Sequence, residues 1–217
     1  QPELGFSGEF GIKQGFKVAG FKGFIDASAF YNKFKNNVEF VFDIYKPAGT
    51  GTLSLDQVTK YAGFKSQNVN TAQVLGSEIS IGGTGKIFGI NATLLAGYTY
   101  MQPTYATYNP LKDTLGLANN SYLKYRQKHL AKTDIQLEYK WFALGYSVRF
   151  QSKTLNIDRR FVISVLHEQN DIPNGVNFDD FPSTFILPGF KENYHEFEKS
   201  VIIHDARVSA NLNSNWK

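Results

Sequence analysis

The stretch FGINATLLAGYTYM, from Phe88 to Met101, alternates with period two along its whole length. Phe88, Ile90, Ala92, Leu94, Ala96, Tyr98 and Tyr100 fall on one side. Gly89, Asn91, Thr93, Leu95, Gly97, Thr99 and Met101 fall on the other. Successive side chains of a β-strand point to opposite faces, so the stretch reads as a strand with one apolar face and one face of mostly small or polar residues.

The same alternation recurs on both sides of this run. Upstream, Leu75, Ser77, Ile79 and Ile81 oppose Gly76, Glu78, Ser80 and Gly82, and Gly83-Thr84-Gly85-Lys86 reads as the turn between the two strands. At the start of the chain, Leu4, Phe6, Gly8, Phe10 and Ile12 oppose Gly5, Ser7, Glu9, Gly11 and Lys13. A turn near Lys17 to Gly20 leads back through Ile25, Ala27, Ala29 and Tyr31, opposed to Asp26, Ser28 and Asn32, with Phe24 and Phe30 interrupting the polar face. Parity is lost near Lys33 to Asn37, which implies a bulge before Val38, Phe40, Phe42 and Ile44 resume the strand. Downstream, Ile135, Leu137 and Tyr139 oppose Asp134, Gln136, Glu138 and Lys140. After a turn at about Lys140 to Phe142, Leu144, Tyr146, Val148 and Phe150 oppose Gly145, Ser147, Arg149 and Gln151. A last run sets Ala206, Val208, Ala210 and Leu212 against Asp205, Arg207, Ser209 and Asn211.

The connections alternate in length. Turns of roughly two to five residues take turns with polar loops of roughly 25 to 40, against a median of about 4–6 in compact domains. The loops run from about Lys46 to Asn70, Gln102 to Leu130 and Asn156 to Phe197. The last of these contains Phe161 to Leu166, which reads as a short helix packed on the loop or on a partner and is too short to span a membrane. A soluble sandwich has loops of similar length at its two ends. A membrane barrel keeps short turns on one side and long loops on the other, and tolerates charge on a water-filled lumen face. The expected fold is therefore all-β: an antiparallel transmembrane β-barrel segment of about seven strands, with short periplasmic turns and long extracellular loops, filling residues 1–217. Single-chain bacterial barrels close with an even number of strands, so about seven strands ending at Trp216-Lys217 imply part of a larger wall.

Composition agrees and sets limits. The 217 residues include 19 Phe, 12 Tyr and 19 Gly but one Met, a mixture suited to strands and turns. No run approaches the about 20 apolar residues of a transmembrane helix. There is no Cys, which excludes disulfides and thiolate zinc sites. The net charge of +4 arises from residues spread along the chain, without the basic block of a nucleic-acid binder. The chain begins Gln1-Pro2-Glu3-Leu4, with no basic n-region and no apolar h-region, so an export signal is expected to have been removed or to lie upstream.

Other motifs carry little chemistry. Gly82 to Lys86 does not match a phosphate-binding loop, because Ile87 follows the lysine and Ser80 stands at the first glycine position. His129, His167, His195 and His204 lack paired metal-ligand spacing. Asp171, Asp179 and Asp180, near Asn170, Asn174 and Asn177, do not follow the EF-hand pattern and read as a solvated loop. Asn91-Ala92-Thr93 and Asn119-Asn120-Ser121 match the glycosylation pattern as chance matches do. No nucleophile elbow is present, so no enzyme activity and no cofactor are expected.

Five segments together resemble a known family. They are Gly11 to Lys17 with Phe21 to Phe24; Leu75 to Ser80; Leu95 to Met101; Gly145 to Ser152 leading to Asn156-Ile157-Asp158; and Leu187 to Phe190 followed by His204 to Val208. Their order and spacing resemble the C-terminal part of the barrel of TonB-dependent outer-membrane receptors, over almost the whole chain. The resemblance implies a barrel of about 22 strands around an N-terminal plug. It also implies uptake of a scarce nutrient across the outer membrane of a Gram-negative bacterium, with energy delivered through TonB. The implied partners are outer-membrane lipid, the plug, the TonB complex, and a surface lipoprotein or other outer-membrane proteins. The chain departs from the family in showing no plug, no TonB-contacting segment and no closing strand with a terminal aromatic residue.

On this reading Glu9, Lys13, Asp26, Glu78, Asn91, Asp134, Glu138, Arg149, Asp205 and Arg207 face the lumen, hold the plug and shape a hydrated route. Phe10, Ile12, Ile79, Ile90, Leu94, Tyr98, Leu137, Tyr146, Val148, Phe150 and Val208 face lipid. Tyr105, Tyr108, Tyr122, Phe178 and Phe181 are loop aromatics placed to stack on a ligand. Two other readings use the same strands: a passive porin or adhesin barrel, and a secreted β-sandwich that binds glycans.

Overall fold

A computed structural model describes residues 2–45, 47–51, 60–68, 71–106, 121–156 and 195–210. Among these are nine strands: β1 (Leu4–Val18), β2 (Phe21–Lys35), β3 (Val38–Ile44), β4 (Ala62–Asn68), β5 (Ala72–Ile87), β6 (Ile90–Tyr105), β7 (His129–Tyr139), β8 (Phe142–Gln151) and β9 (Val201–Ala210). Seven form one sheet in the order β1-β2-β5-β6-β7-β8-β9, and every neighbouring pair is antiparallel. The sheet is an open wall, with β1 and β9 at its edges.

The tight turns are shorter than the sequence suggests. Gly83 to Lys86 lie inside β5, and the reversal occurs at Phe88-Gly89, with φ of 49° and 85°. Ala19-Gly20 repeats the geometry with φ of 49° and 84°. Two-residue turns with both central residues in the left-handed region match the twist of the strands they join, and glycine at the second position relieves the strain. Phe88 is thus a turn residue, fully exposed, and not part of the apolar face expected for it. The third turn is Lys140-Trp141, with φ of 54° at Lys140.

The expected bulge after Lys33 is a break. Asn36 takes φ of 53°, and the chain leaves the main sheet to form β3, which pairs with β4 in a separate two-stranded sheet. Asn68 Nδ2 donates to the Asn36 carbonyl at 2.8 Å and fastens the base of this hairpin. The first long loop therefore contains a strand, β4, that its Gly, Thr and Ser content hid.

The phenylalanines that interrupt the polar face have a common explanation. Phe24 stands directly across from Gly82, Phe30 from Gly76 and Phe34 from Gly5. A Cβ built on any of these glycines falls within 3.2 Å of the facing ring. Each ring occupies the space beside backbone that has no side chain, which covers apolar area without displacing a polar neighbour.

Little of the wall is buried. The core of buried residues is Ala72, Tyr105 and Leu123, packed by Phe34 and Val74, with Pro103 wholly enclosed. It sits at the long-loop end of the polar face. Residues 121–128 fold over it through backbone bonds such as Leu123 N to Pro103 O at 3.0 Å and Tyr105 N to Ser121 O at 2.8 Å.

Candidate functional site

The register decides which side chains share a surface. Starting from Glu78, the pairings Glu78↔Thr99, Ser28↔Glu78, Lys13↔Asp26, Asp26↔Ser80, Leu95↔Asp134, Asp134↔Ser147 and Ser147↔Asp205 carry one face across all seven strands. Glu9, Lys13, Asp26, Glu78, Asn91, Asp134, Glu138, Arg149, Asp205 and Arg207 stand on that face. Phe10, Ile12, Ile79, Ile90, Leu94, Tyr98, Leu137, Tyr146, Val148, Phe150 and Val208 stand on the opposite one. Large apolar side chains of the second face are uncovered: Phe10 is 81% exposed, Ile12 67% and Val208 68%. A contiguous apolar surface of this extent calls for a nonaqueous neighbour.

On the polar face the charges form local networks. Asp134 accepts a short hydrogen bond from Ser147 Oγ and an ion pair from Arg207 Nη2 at 2.5 Å. Arg207 belongs to β9 and reaches Asp134 on β7 by crossing over β8 at Gly145, its direct partner. A Cβ at Gly145 would lie 3.1 Å from Arg207 Nε, so the missing side chain opens the passage. Arg149 Nη2 meets Asp205 at 3.2 Å. At the other end of the wall, Lys13 pairs with Asp26 at 3.7 Å and lies 4.1 Å from the centre of the Phe24 ring. Thr99 Oγ1 donates to Glu78 at 3.3 Å, and Gln136 Nε2 to Glu138 at 2.6 Å. These pairs are half exposed, so they order the side chains more than they stabilise the sheet.

A cleft of about 530 Å³ opens on this part of the wall. Glu9, Asp26 and Glu78 line one flank, from β1, β2 and β5. Lys132 and Arg149 line the other, from β7 and β8. Asp26 is already paired with Lys13 and Arg149 with Asp205, so both flanks carry both signs of charge, an arrangement suited to holding complementary polar surface. Among the described residues, no group of His, Asp and Glu could hold a metal ion.

The loop aromatics divide. Tyr105 is buried, and its hydroxyl donates to Glu39 of β3 at 2.7 Å, tying the extra hairpin to the end of β6. Tyr122 lies beneath Lys128, whose ammonium is 4.4 Å from the ring centre and donates to the phenol at 2.5 Å. Both rings are engaged within the chain. Tyr108, Phe178 and Phe181, the run Phe161 to Leu166 and the Asp171 to Asp180 loop lie outside the described residues.

The chain matches, over residues 1–217, the family described as TonB dependent receptor-like, beta-barrel. It belongs to that family. No curated protein matches the chain. Barrels of this family sit in the Gram-negative outer membrane and work in TonB-dependent transport, with a plug domain, TonB and lipid as their general partners. The open seven-stranded wall is the corresponding piece of a TonB-dependent receptor barrel.

Two features of this receptor barrel were not legible in its sequence. On the apolar face Tyr98 Oη and His129 Nδ1 lie 2.7 Å apart, and Tyr146 Oη and His204 Nδ1 lie 2.7 Å apart. Each histidine stands two residues before the direct partner of its tyrosine, Ala131 and Ala206. Polar groups on an apolar face need partners, and each pair satisfies its own. Tyr98→Phe removes the partner of His129 and is expected to lower barrel stability by about 1 kcal/mol. Urea unfolding of the detergent-solubilised receptor checks this, and an unchanged midpoint would show that the pair contributes nothing.

Proposed function

We propose that this chain forms part of the wall of an energy-coupled outer-membrane receptor for a scarce nutrient. Its polar face lines a hydrated lumen, its apolar face meets lipid, and its three long connections lie outside the cell. The observation that carries the reading is the sorting of charge: every acidic side chain of the sheet, Glu9, Asp26, Glu78, Asp134, Glu138 and Asp205, is on one face. A soluble sandwich would need its uncovered apolar face packed against a second sheet, and β3 and β4 are too small to supply one.

In this role the lumen residues bind and guide and do not catalyse. Glu9, Asp26 and Glu78 opposite Lys132 and Arg149 offer both signs of charge to a plug surface, and Asn91 and Glu138 extend the polar track toward the short turns.

These 217 residues contain no native cysteine to add background labelling. In the full-length receptor in intact outer membranes, single cysteines at Glu78 and Asp134 are expected to react with a water-soluble maleimide, and cysteines at Ile79 and Ile135 to resist it. The reverse pattern would overturn the face assignment. Uptake that persists without TonB would replace the receptor reading with a passive porin, and fractionation with soluble protein without detergent would favour the sandwich.

A further inference from the structure

Three cations of the polar face meet a carboxylate: Lys13 meets Asp26, Arg149 meets Asp205 and Arg207 meets Asp134. At the short-turn end of β1, β2 and β5 this pattern stops. Lys17 of β1 stands directly across from Lys22 of β2. Lys86 is the last residue of β5 on the same face, two positions beyond Thr84, the partner of Lys22. All three are exposed, and among the described residues none has a hydrogen-bond or ion-pair partner. The acids closest to them in register are already engaged: Asp26, four positions from Lys22, by Lys13, and Glu138, two strands from Lys86, by Gln136. Like charges directly opposite on neighbouring strands repel, so the Lys17–Lys22 rung weakens the sheet unless negative charge lies over it.

Beside the lysines the same face has an open apolar hollow of about 860 Å³. Phe24 and Leu95 form its walls and Gly82 its floor: a Cβ on Gly82 would lie 2.8 Å from the Phe24 ring and 3.3 Å from Leu95 Cδ1. Lys17 and Lys22 border it, together with Thr93. Leu95 is 48% exposed within a face that elsewhere carries charge. Apolar surface bordered by unpaired charge of one sign fits an occupant with both features, a large apolar side chain for the hollow and carboxylates beside it for the ammonium groups. A substrate in passage would leave the Lys17–Lys22 repulsion uncovered at rest. A resident partner covers it permanently.

We propose that the plug of the same receptor docks here through an acidic stretch, which sets one large apolar side chain between Phe24 and Leu95 and its carboxylates against Lys17, Lys22 and Lys86. Docking here rests on the lumen-facing reading of this face, and gives the plug surface a sign at the short-turn end. Further along the wall Glu9, Asp26 and Glu78 stand with Lys132 and Arg149 and accept a mixed surface. At the lysine rung only negative charge fits.

The test treats the full-length receptor in isolated outer membranes with a water-soluble carbodiimide, which joins an ammonium to a carboxylate only when the two are in contact, and maps the bonds by mass spectrometry after digestion. The expected result is a bond from Lys17, Lys22 or Lys86 to an Asp or Glu of the plug. A bond to a different protein would give the site to a periplasmic partner and overturn the proposal. Bonds confined to Asp26 and Glu138, or no bond, overturn it as well. A second measurement follows labelling of Thr93→Cys by a bulky water-soluble maleimide. Lys17→Glu with Lys22→Glu should raise that labelling about 10-fold as the acidic stretch is repelled, whereas Lys17→Arg with Lys22→Arg should leave it unchanged. The heat-modifiable folded band shows that each variant has assembled, and equal labelling in assembled wild type and glutamate variant rejects the docking. A fluorophore on Thr93→Cys and a lipid-borne quencher separate this failure from failure of the underlying reading. Quenching rejects the lumen-facing assignment itself, and no quenching together with no bond to the plug rejects the docking site alone.

Discussion

Ile79→Arg is expected to destabilise the folded receptor barrel by about 2–4 kcal/mol, whereas Ser80→Arg, one residue along, costs less than about 1 kcal/mol. Ile79 is the midpoint of β5, half exposed, and flanked by Ala27 and Tyr98 on the apolar face. A guanidinium there has no carboxylate within its face and no water on the proposed reading. Ser80 lies between Asp26 and Gly97, where the glycine leaves space and the carboxylate offers a partner. Urea unfolding of the full-length protein in vesicles, followed by the heat-modifiable folded band, measures both. Similar losses for the two variants, or a larger loss for Ser80→Arg, would reject the assignment of the faces.

Gly23→Ala is the second large effect, expected at about 3 kcal/mol through overpacking. Gly23 stands directly across from Gly83, and a Cβ on it would come within 2.2 Å of the Gly82 carbonyl oxygen and 2.8 Å of the Gly83 Cα. Both are backbone atoms, which cannot rotate away as a side chain can. Relief requires separating β2 from β5 near the short turns, where Phe21 already lies over Gly83 and Gly85. Gly97→Ala is the control, since the nearest atom to its Cβ is 3.8 Å away. A receptor that assembles equally well with alanine at position 23 would show that the strands can part there at no cost.

How far the sequence could be read depends on which interaction encodes each feature. The two faces were legible because alternation is a local property: Glu78 and Ile79 point opposite ways in any strand that contains them. The turn at Phe88-Gly89 was misplaced because Gly82, Gly83 and Gly85 look like a turn until the rings of Phe24 and Phe21 are seen to occupy the space above them. β3 was legible as a strand, but β4 was hidden by a loop-like composition, and their pairing joins Val38 to Asn68 across a long separation. Tyr105 read as a ligand-stacking residue from its place among the loop aromatics. Its burial against Ala72 and Leu123 depends on residues 121–128 folding back.

By itself the sequence determined that this chain is a two-faced antiparallel wall with short turns at one end and long loops at the other, because period-two patterning and turn residues act over a few neighbours. Tertiary structure alone decided which residues meet across strands: Arg207 with Asp134 over Gly145, Tyr98 with His129, and Phe24 on Gly82. Those meetings follow from register, and register is set by all the strands together, so no single strand contains the information to specify it.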